Sequence, residues 1–342
     1  MKLTAHFGPI APGVYVWQPD GGAAWGLANC GVIRAGGEAL IVDTPYTPAL
    51  TDAFLAAARE VIGAGTPLDR VVVTHANGDH TWGSQQLPGA EIIATQAALE
   101  HQCVEPTPGQ LHALVHDSDP DQPLGWYFRR HFGAFDFSGI TVLPPTTTFT
   151  GRQELSVGGT PVVLYEAGPA HTVGDLFVHL PEQRVVFAGD LVFAGDHPSH
   201  WAGPLELISA ACRRILDLEP EWIVPGHGPL LTPDGLRKHL GYLDNLAAQA
   251  RLLHGQGRTA PEAARLLIEE DRYPGLGLPE RLAISLSTEF RHLDGNRTVP
   301  ELLLPMEHAA RIARDRAVSA EHTGQPDADR TTAPEAIPIQ TS

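Results

Sequence analysis

Residues 71–83 read VVVTHANGDHTWG. The three valines suit a short strand buried on both faces, the pattern of parallel sheets. Directly after Thr74 stand His75, Asn77, Asp79 and His80. Divalent metals take imidazole nitrogen and carboxylate oxygen at about 2.0–2.2 Å, so a strand that delivers these side chains into one loop offers a metal site. Asn77 can add a carbonyl oxygen. Taken alone, each has an ordinary alternative: a surface histidine, or an aspartate capping a helix.

The alternatives fail jointly, because the pattern recurs. His171 in YEAGPAHTVGD, Asp190 in RVVFAGDLVF and His227 in EWIVPGHGPL each follow an apolar β-type run beside glycine. Four strand ends therefore present ligand-type residues, and a sheet protein gathers such ends along one edge.

Working outward, GVYVW, CGVIR and ALIVD read as strands, with RAGGEA a hairpin turn between the last two. TPALTDAFLAAAREVIGAG reads as a helix capped by Thr47, with Pro48 in its first turn and Gly63 or Gly65 at its end. EIIA, PVVLYEA, DLFVHL, RVVFAGD and WIVPGHG are further strands, and LELISAACRRILDL is a helix. The expected architecture is α/β, a sheet-on-sheet core with helices outside, over residues 1–231. Residues 102–150 form an insertion or lid over the site. A helical extension at 232–315 includes a capping box at Thr259 and Glu262. A disordered tail is expected at 316–342.

Composition narrows the function. The 342 residues are 43% hydrophobic, enough for a sizeable core, and carry a formal charge of -17. That balance argues against nucleic acid or an anionic membrane as partner. Cys30, Cys103 and Cys212 are scattered and form no CxxC pair, so no disulfide framework is indicated. With no signal segment or span-length apolar run, a cytoplasmic setting is the expectation.

In this order and spacing, THANGDH, GPAHTVGD, VVFAGD and VPGHG resemble the metallo-β-lactamase superfamily over roughly residues 10 to 230. The resemblance implies an αββα sandwich with a dinuclear metal site at one edge. Carried over by position, His75, Asn77 and His171 would form one metal site. Asp79, His80 and His227 would form the other, with Asp190 bridging both. Asp43, ending ALIVD, would orient a ligand histidine, its alternative being a plain turn acid. The family's loop motif is HxHxDH, so Asn77 stands where a histidine is usual. An amide oxygen is a weaker donor than imidazole, so the first site should bind metal less tightly. Zinc is the expected metal, with iron or manganese as alternatives.

The chemistry this implies is hydrolysis of an ester, thioester or lactone by a metal-bound hydroxide, which Asp79 or Asp190 would orient while accepting the proton that water gives up. No GxSxG elbow and no GxxxxGK[ST] loop compete with that reading. The layout is similar to bacterial polyketide thioesterase/cyclase members of the fold. An oxidoreductase or lyase on the same fold, or a non-catalytic binding protein, is the alternative; intact His80 favours hydrolysis over the HxExD pattern of the diiron branch. The expected partner is a small acyl substrate, with His197, His200 and Trp201 contacting it near the mouth. The aromatics Trp126, Tyr127, Phe128, Phe132, Phe135 and Phe137 either line an aromatic-accommodating pocket or pack the insertion onto the core. The C-terminal helices offer a homodimer surface.

Overall fold

The structure is a computed structural model and describes residues 4–20, 25–296, 298 and 302–323. Its first sheet holds β1 (Thr4–Ala11), β2 (Val14–Asp20), β3 (Cys30–Ala35), β4 (Glu38–Val42), β5 (Arg70–Val72), β6 (Glu91–Thr95) and β7 (Thr147–Phe149), in that spatial order. The second holds β8 (Arg152–Val157), β9 (Thr160–Glu166), β10 (Leu176–Leu180), β11 (Val185–Phe193) and β12 (Trp222–His227), with β12 and β8 at its edges. Pairing is antiparallel from β1 to β4 and parallel from β4 to β7. In the second sheet only β11 and β12 run parallel. Parallel pairing sends β4 and β5 out at the same edge, and β12 of the second sheet ends beside the first, where His227 Nδ1 meets the Leu27 carbonyl at 3.2 Å.

The helices are α1 (Pro48–Ile62), α2 (Gly78–Thr81), α3 (Gln96–His101), α4 (Pro108–His116), α5 (Pro123–Phe132), α6 (Leu205–Asp217), α7 (Pro233–Gly255), α8 (Ala260–Glu269), α9 (Leu282–Leu293) and α10 (Leu303–Thr323). Thr47 caps α1, accepting from the Leu50 N–H, and Gly63 ends it at φ 85°. Glu262 accepts from the Thr259 N–H at 2.9 Å, as capping-box spacing requires.

Three apolar layers define an αββα sandwich. Val16, Ile33, Leu40 and Val72 meet Leu164, Val178 and Val185 between the sheets. The outer face of the first sheet packs on Phe54, Ala58 and Ile62 of α1. On the other side, Phe177, Val186 and Ala188 pack against α6, α7 and α9 through Ile208, Leu243 and Leu286. The C-terminal helices thus share one core with the second sheet. Among the described residues, no helix is long and apolar enough to cross a membrane.

Several boundaries move. β1 and β8 are strands that the sequence pattern did not mark; β8 is mostly exposed and polar, with only Leu155 and Val157 turned to the core. β7 falls inside the interval read as an insertion, yet it is one of the two edge strands of the first sheet. Residues 316–323, expected to be part of a disordered tail, are helical within α10, which runs to Thr323; residues 324–342 lie outside the described residues. The insertion's aromatics take the packing alternative. Tyr127, Phe128, Phe132, Phe135 and Phe137 are buried against Tyr46, Trp82, Met306 and Ala309, with Trp126 half-buried beside them.

Candidate metal centre

The edge where β4, β5 and β12 end gathers the ligand-type residues from four segments. His75 follows β5, His171 sits in the β9–β10 loop, and His227 closes β12. Asp79 and His80 lie on the single turn of α2 rather than in an open loop. Asp190 corrects a second expectation, since it lies within β11 and not after it. A register shift against β12 and a left-handed Gly189 (φ 53°) turn it into the site. Gly226 is required opposite, because a Cβ there would stand 1.8 Å from Asp190 Oδ1.

Two groups form. His75, His171 and Asp190 place ligand atoms within 4.8 Å of one another, and so do Asp79, His80 and His227. Asp190 joins them: its Oδ2 lies 3.4 Å from both His171 Nε2 and His227 Nε2, and its Oδ1 lies 3.2 Å from His80 Nε2. Asp79 Oδ2 is 3.4 Å from His227 Nε2.

The outward ring nitrogens decide what can sit in the middle. His171 Nδ1 donates to the Ser199 carbonyl at 2.5 Å, and His227 Nδ1 to the Leu27 carbonyl at 3.2 Å. His80 Nδ1 donates to Asp43 Oδ2 at 2.8 Å. The Thr74 hydroxyl donates to Asp43 Oδ2, so its lone pair is left for His75 Nδ1 at 3.1 Å. In the neutral tautomer that results, every Nε2 is a bare lone pair pointing inward. Asn77 Oδ1 meets His75 Nε2 at 3.1 Å and His171 Nε2 at 2.7 Å, acceptor against acceptor. His80 Nε2 and Asp190 Oδ1 are buried without a hydrogen-bond partner. Such a convergence of lone pairs fits a cation, and the nitrogen–oxygen donor set suits a divalent transition metal.

Titration favours that state at His75 and His171 and opposes it at His80. Burial lowers the His75 and His171 pKa values, a fall that Asp190 only partly opposes. Burial also opposes charge on His80, but Asp190, Asp43 and Asp79 outweigh it and hold its pKa well above the ordinary value. A proton there occupies the place a metal would take, so metal binding should release it. Burial would raise the Asp190 pKa, yet His227, His80 and His171 together hold it well below the usual carboxylate range.

Asp43 occupies the orienting position expected of it. At φ 58°, it accepts from the Thr74 N–H at 2.7 Å while holding His80. Asp175, unmarked by the sequence reading, ties the His171 loop through the Thr172 N–H at 2.9 Å. Glu105 is also new, accepting from Asn77 Nδ2 at 2.8 Å. Of the three residues expected at the mouth, His197 and His200 are buried and Trp201 is half-buried. His197 is buried with Nδ1 on the Tyr242 hydroxyl at 2.9 Å. His200 is fully buried, its ring 6.1 Å from that of His171, and neither ring nitrogen has a hydrogen-bond partner. Trp201 is half-buried against the cluster that includes Tyr127 and Phe128.

Comparison with known proteins agrees with this geometry. The sequence matches the Metallo-beta-lactamase superfamily over residues 23–227, and the chain belongs to that superfamily. Solved structures share its fold: a metallo-beta-lactamase from Pontibacter korlensis (TM-score 0.53, 18% identity) covers 71% of this chain and is itself matched over 100%. The DIM-1 metallo-beta-lactamase (TM-score 0.51, 21% identity) covers 72% and is also matched over 100%. Among curated relatives, the 2,4-dinitroanisole O-demethylase subunit alpha of Nocardioides sp. (strain JS1661) is 27% identical over 64% of this chain, which spans 61% of that subunit's length. Acyl-coenzyme A thioesterase MBLAC2 of Gallus gallus is 24% identical over 64% of this chain and 79% of its own length.

Proposed function

We propose that this protein is a metal-dependent hydrolase that cleaves an acyl bond, with thioesters as the first substrate class. The observation that carries the reading is the set of four inward Nε2 lone pairs around Asp190, with Asn77 Oδ1 and Asp79 beside them. His75, Asn77, His171 and Asp190 would hold one cation, and Asp79, His80, His227 and Asp190 the other, with zinc the best match to the donors. Such cations supply Lewis acidity, which polarises a carbonyl oxygen and lowers the pKa of water. The chain's own groups do the rest. Asp190 fixes the spacing of the two sets from a buried position. Asp79 is the more exposed of these two carboxylates, its side chain 16% accessible against 5% for Asp190, so it is placed to take a proton from water and return it to a leaving thiol or alcohol.

The acyl-CoA thioesterase relative supports thioesters within this class. Cyclisation, the polyketide thioesterase/cyclase outcome, differs only in the nucleophile, an internal carbon or hydroxyl instead of water. The demethylase relative favours a second reading, cleavage of a methyl ether on an electron-poor ring. The test is a panel on the zinc-loaded protein: acyl-CoA thioesters, p-nitrophenyl esters, lactones and 2,4-dinitroanisole. Chelator-sensitive release of thiol from acyl-CoA is the expected result. Turnover of dinitroanisole alone would favour the second reading, and no turnover across the panel would overturn the first.

A further inference from the structure

The arrangement around Asn77 differs from that around the other ligand-type residues. Its amide has two unlike ends, and both are tied. Nδ2 donates to Glu105 Oε2 at 2.8 Å, while Oδ1 faces His75 Nε2 and His171 Nε2. An ionised carboxylate can only accept, so the end facing Glu105 must be the NH₂ and the end facing the cluster must be the oxygen. The other carboxylate oxygen, Glu105 Oε1, is held by His101 Nε2 at 2.8 Å. His101 ends α3, whose N-cap Thr95 accepts from the Ala98 N–H at 3.0 Å, and the Glu105 side chain is only 11% accessible. The carboxylate is therefore anchored on one side and committed to Asn77 on the other.

We propose that Glu105, braced by His101, is a positioning residue that aims the Asn77 oxygen into the first metal position and strengthens it as a donor. This rests on the metal-hydrolase reading above. Without Glu105, the two amide ends are nearly equivalent in shape, and a half-turn about χ2 would present NH₂ to the cation and abolish the contact. With it, that flip sets oxygen against carboxylate oxygen. Accepting from the amide N–H also draws electron density toward Oδ1, because the two ends share one π system. A carboxylate behind a ligand orients it and raises its basicity, much as Asp43 does behind His80. Asn77 and Glu105 together thus supply part of what a single imidazole would.

The test compares zinc retention at each set in the full-length, zinc-loaded protein, with visible spectra of the cobalt-substituted form as a second readout. Glu105→Leu should weaken the first position by about 10- to 100-fold, and Glu105→Gln, which keeps an acceptor but loses the charge, by less. The second position should keep its metal in both, which also reports an intact fold. In an Asn77→Ala background there is no amide to aim, so Glu105→Leu should then change the first position, left with His75, His171 and Asp190, by under about threefold. Unchanged first-position affinity in Glu105→Leu would overturn the proposal, as would an equal loss in the Asn77→Ala background. If Glu105→Leu loses both metals, Glu105→Gln decides: selective first-position weakening supports the proposal, and wild-type retention overturns it. The hydrolase reading fails differently, by no turnover despite two metals and an intact Glu105 dependence.

Discussion

The two halves of the candidate metal centre are built by the same logic from different materials. In one, His80 is held by Asp43, which the Thr74 backbone and hydroxyl fix in turn. In the other, Asn77 is held by Glu105, which His101 fixes. Each pairs an inward donor with a carboxylate behind it. The difference is the donor itself: an imidazole has one lone pair at Nε2 and a tautomer set by its partner, whereas an amide can turn over and is the weaker base. A neutral amide in place of an imidazole leaves the formal charge unchanged, so the asymmetry is one of donor strength and orientation.

The largest effect should come from removing what the halves share. Asp190→Ala takes an oxygen from both groups and leaves the facing Nε2 atoms without their common anion. Turnover of the best panel substrate should fall by roughly 10²–10⁴-fold, with zinc content falling at both positions. Full activity would break the account of a joint centre.

Next is the brace behind the half expected to bind metal more tightly. Asp43→Asn keeps the shape and tolerates the left-handed backbone, but gives up the anion that holds His80. The second position should lose about 10- to 100-fold in zinc affinity while the first changes little, as competition with a chelator would show. Equal weakening of both would mean that Asp43 supports the whole edge instead of one ligand.

The smallest effect lies outside the centre and separates its acid sensitivity from that of the fold. Burial lowers the pKa of His239 to about 4, and burial together with Arg281 and Arg316 lowers that of His197 to about 3. Between these values and the ordinary histidine range the unfolded chain holds more protons than the folded one. Stability is therefore full above about pH 6.5 and falls as the pH drops. At pH 5.5 each histidine should cost roughly 1.4 kcal/mol relative to neutral pH. His239→Leu, in the apolar surroundings of Leu236 and Leu243, should remove one such share, seen as a smaller shift in urea midpoint between pH 7.5 and 5.5. An unchanged shift would assign the acid sensitivity to the metal ligands.

What the sequence revealed of this site follows from chain connectivity. His75, Asp79 and His80 are close in sequence, and His171, Asp190 and His227 each follow an apolar run, so strand ends announced them. Asp43 was legible for the same reason. Glu105 carries no such mark: it lies after α3, unrelated in spacing to Asn77, and only the fold brings the two together. His197 and His200 follow Asp190 closely, which suggested a place at the mouth. The chain after β11 turns inward under the C-terminal helices, where His200 N–H reaches Ser285 Oγ and the His197 carbonyl accepts from Arg281. Sequence proximity to a ligand does not specify which side of the site a loop takes. In the fold, strands with apolar alternation were legible, while β7 and β8 depend on neighbours for their place.

The central claim is that the halves differ in affinity because of Asn77. The most direct measurement is anomalous diffraction from crystals equilibrated with limiting zinc, which gives the occupancy of each position separately. The account predicts a filled position at Asp79, His80 and His227, a partly filled one at His75, Asn77 and His171, and near-equal filling in Asn77→His. Equal occupancy in the wild-type protein, or preferential filling of the Asn77 side, would contradict it.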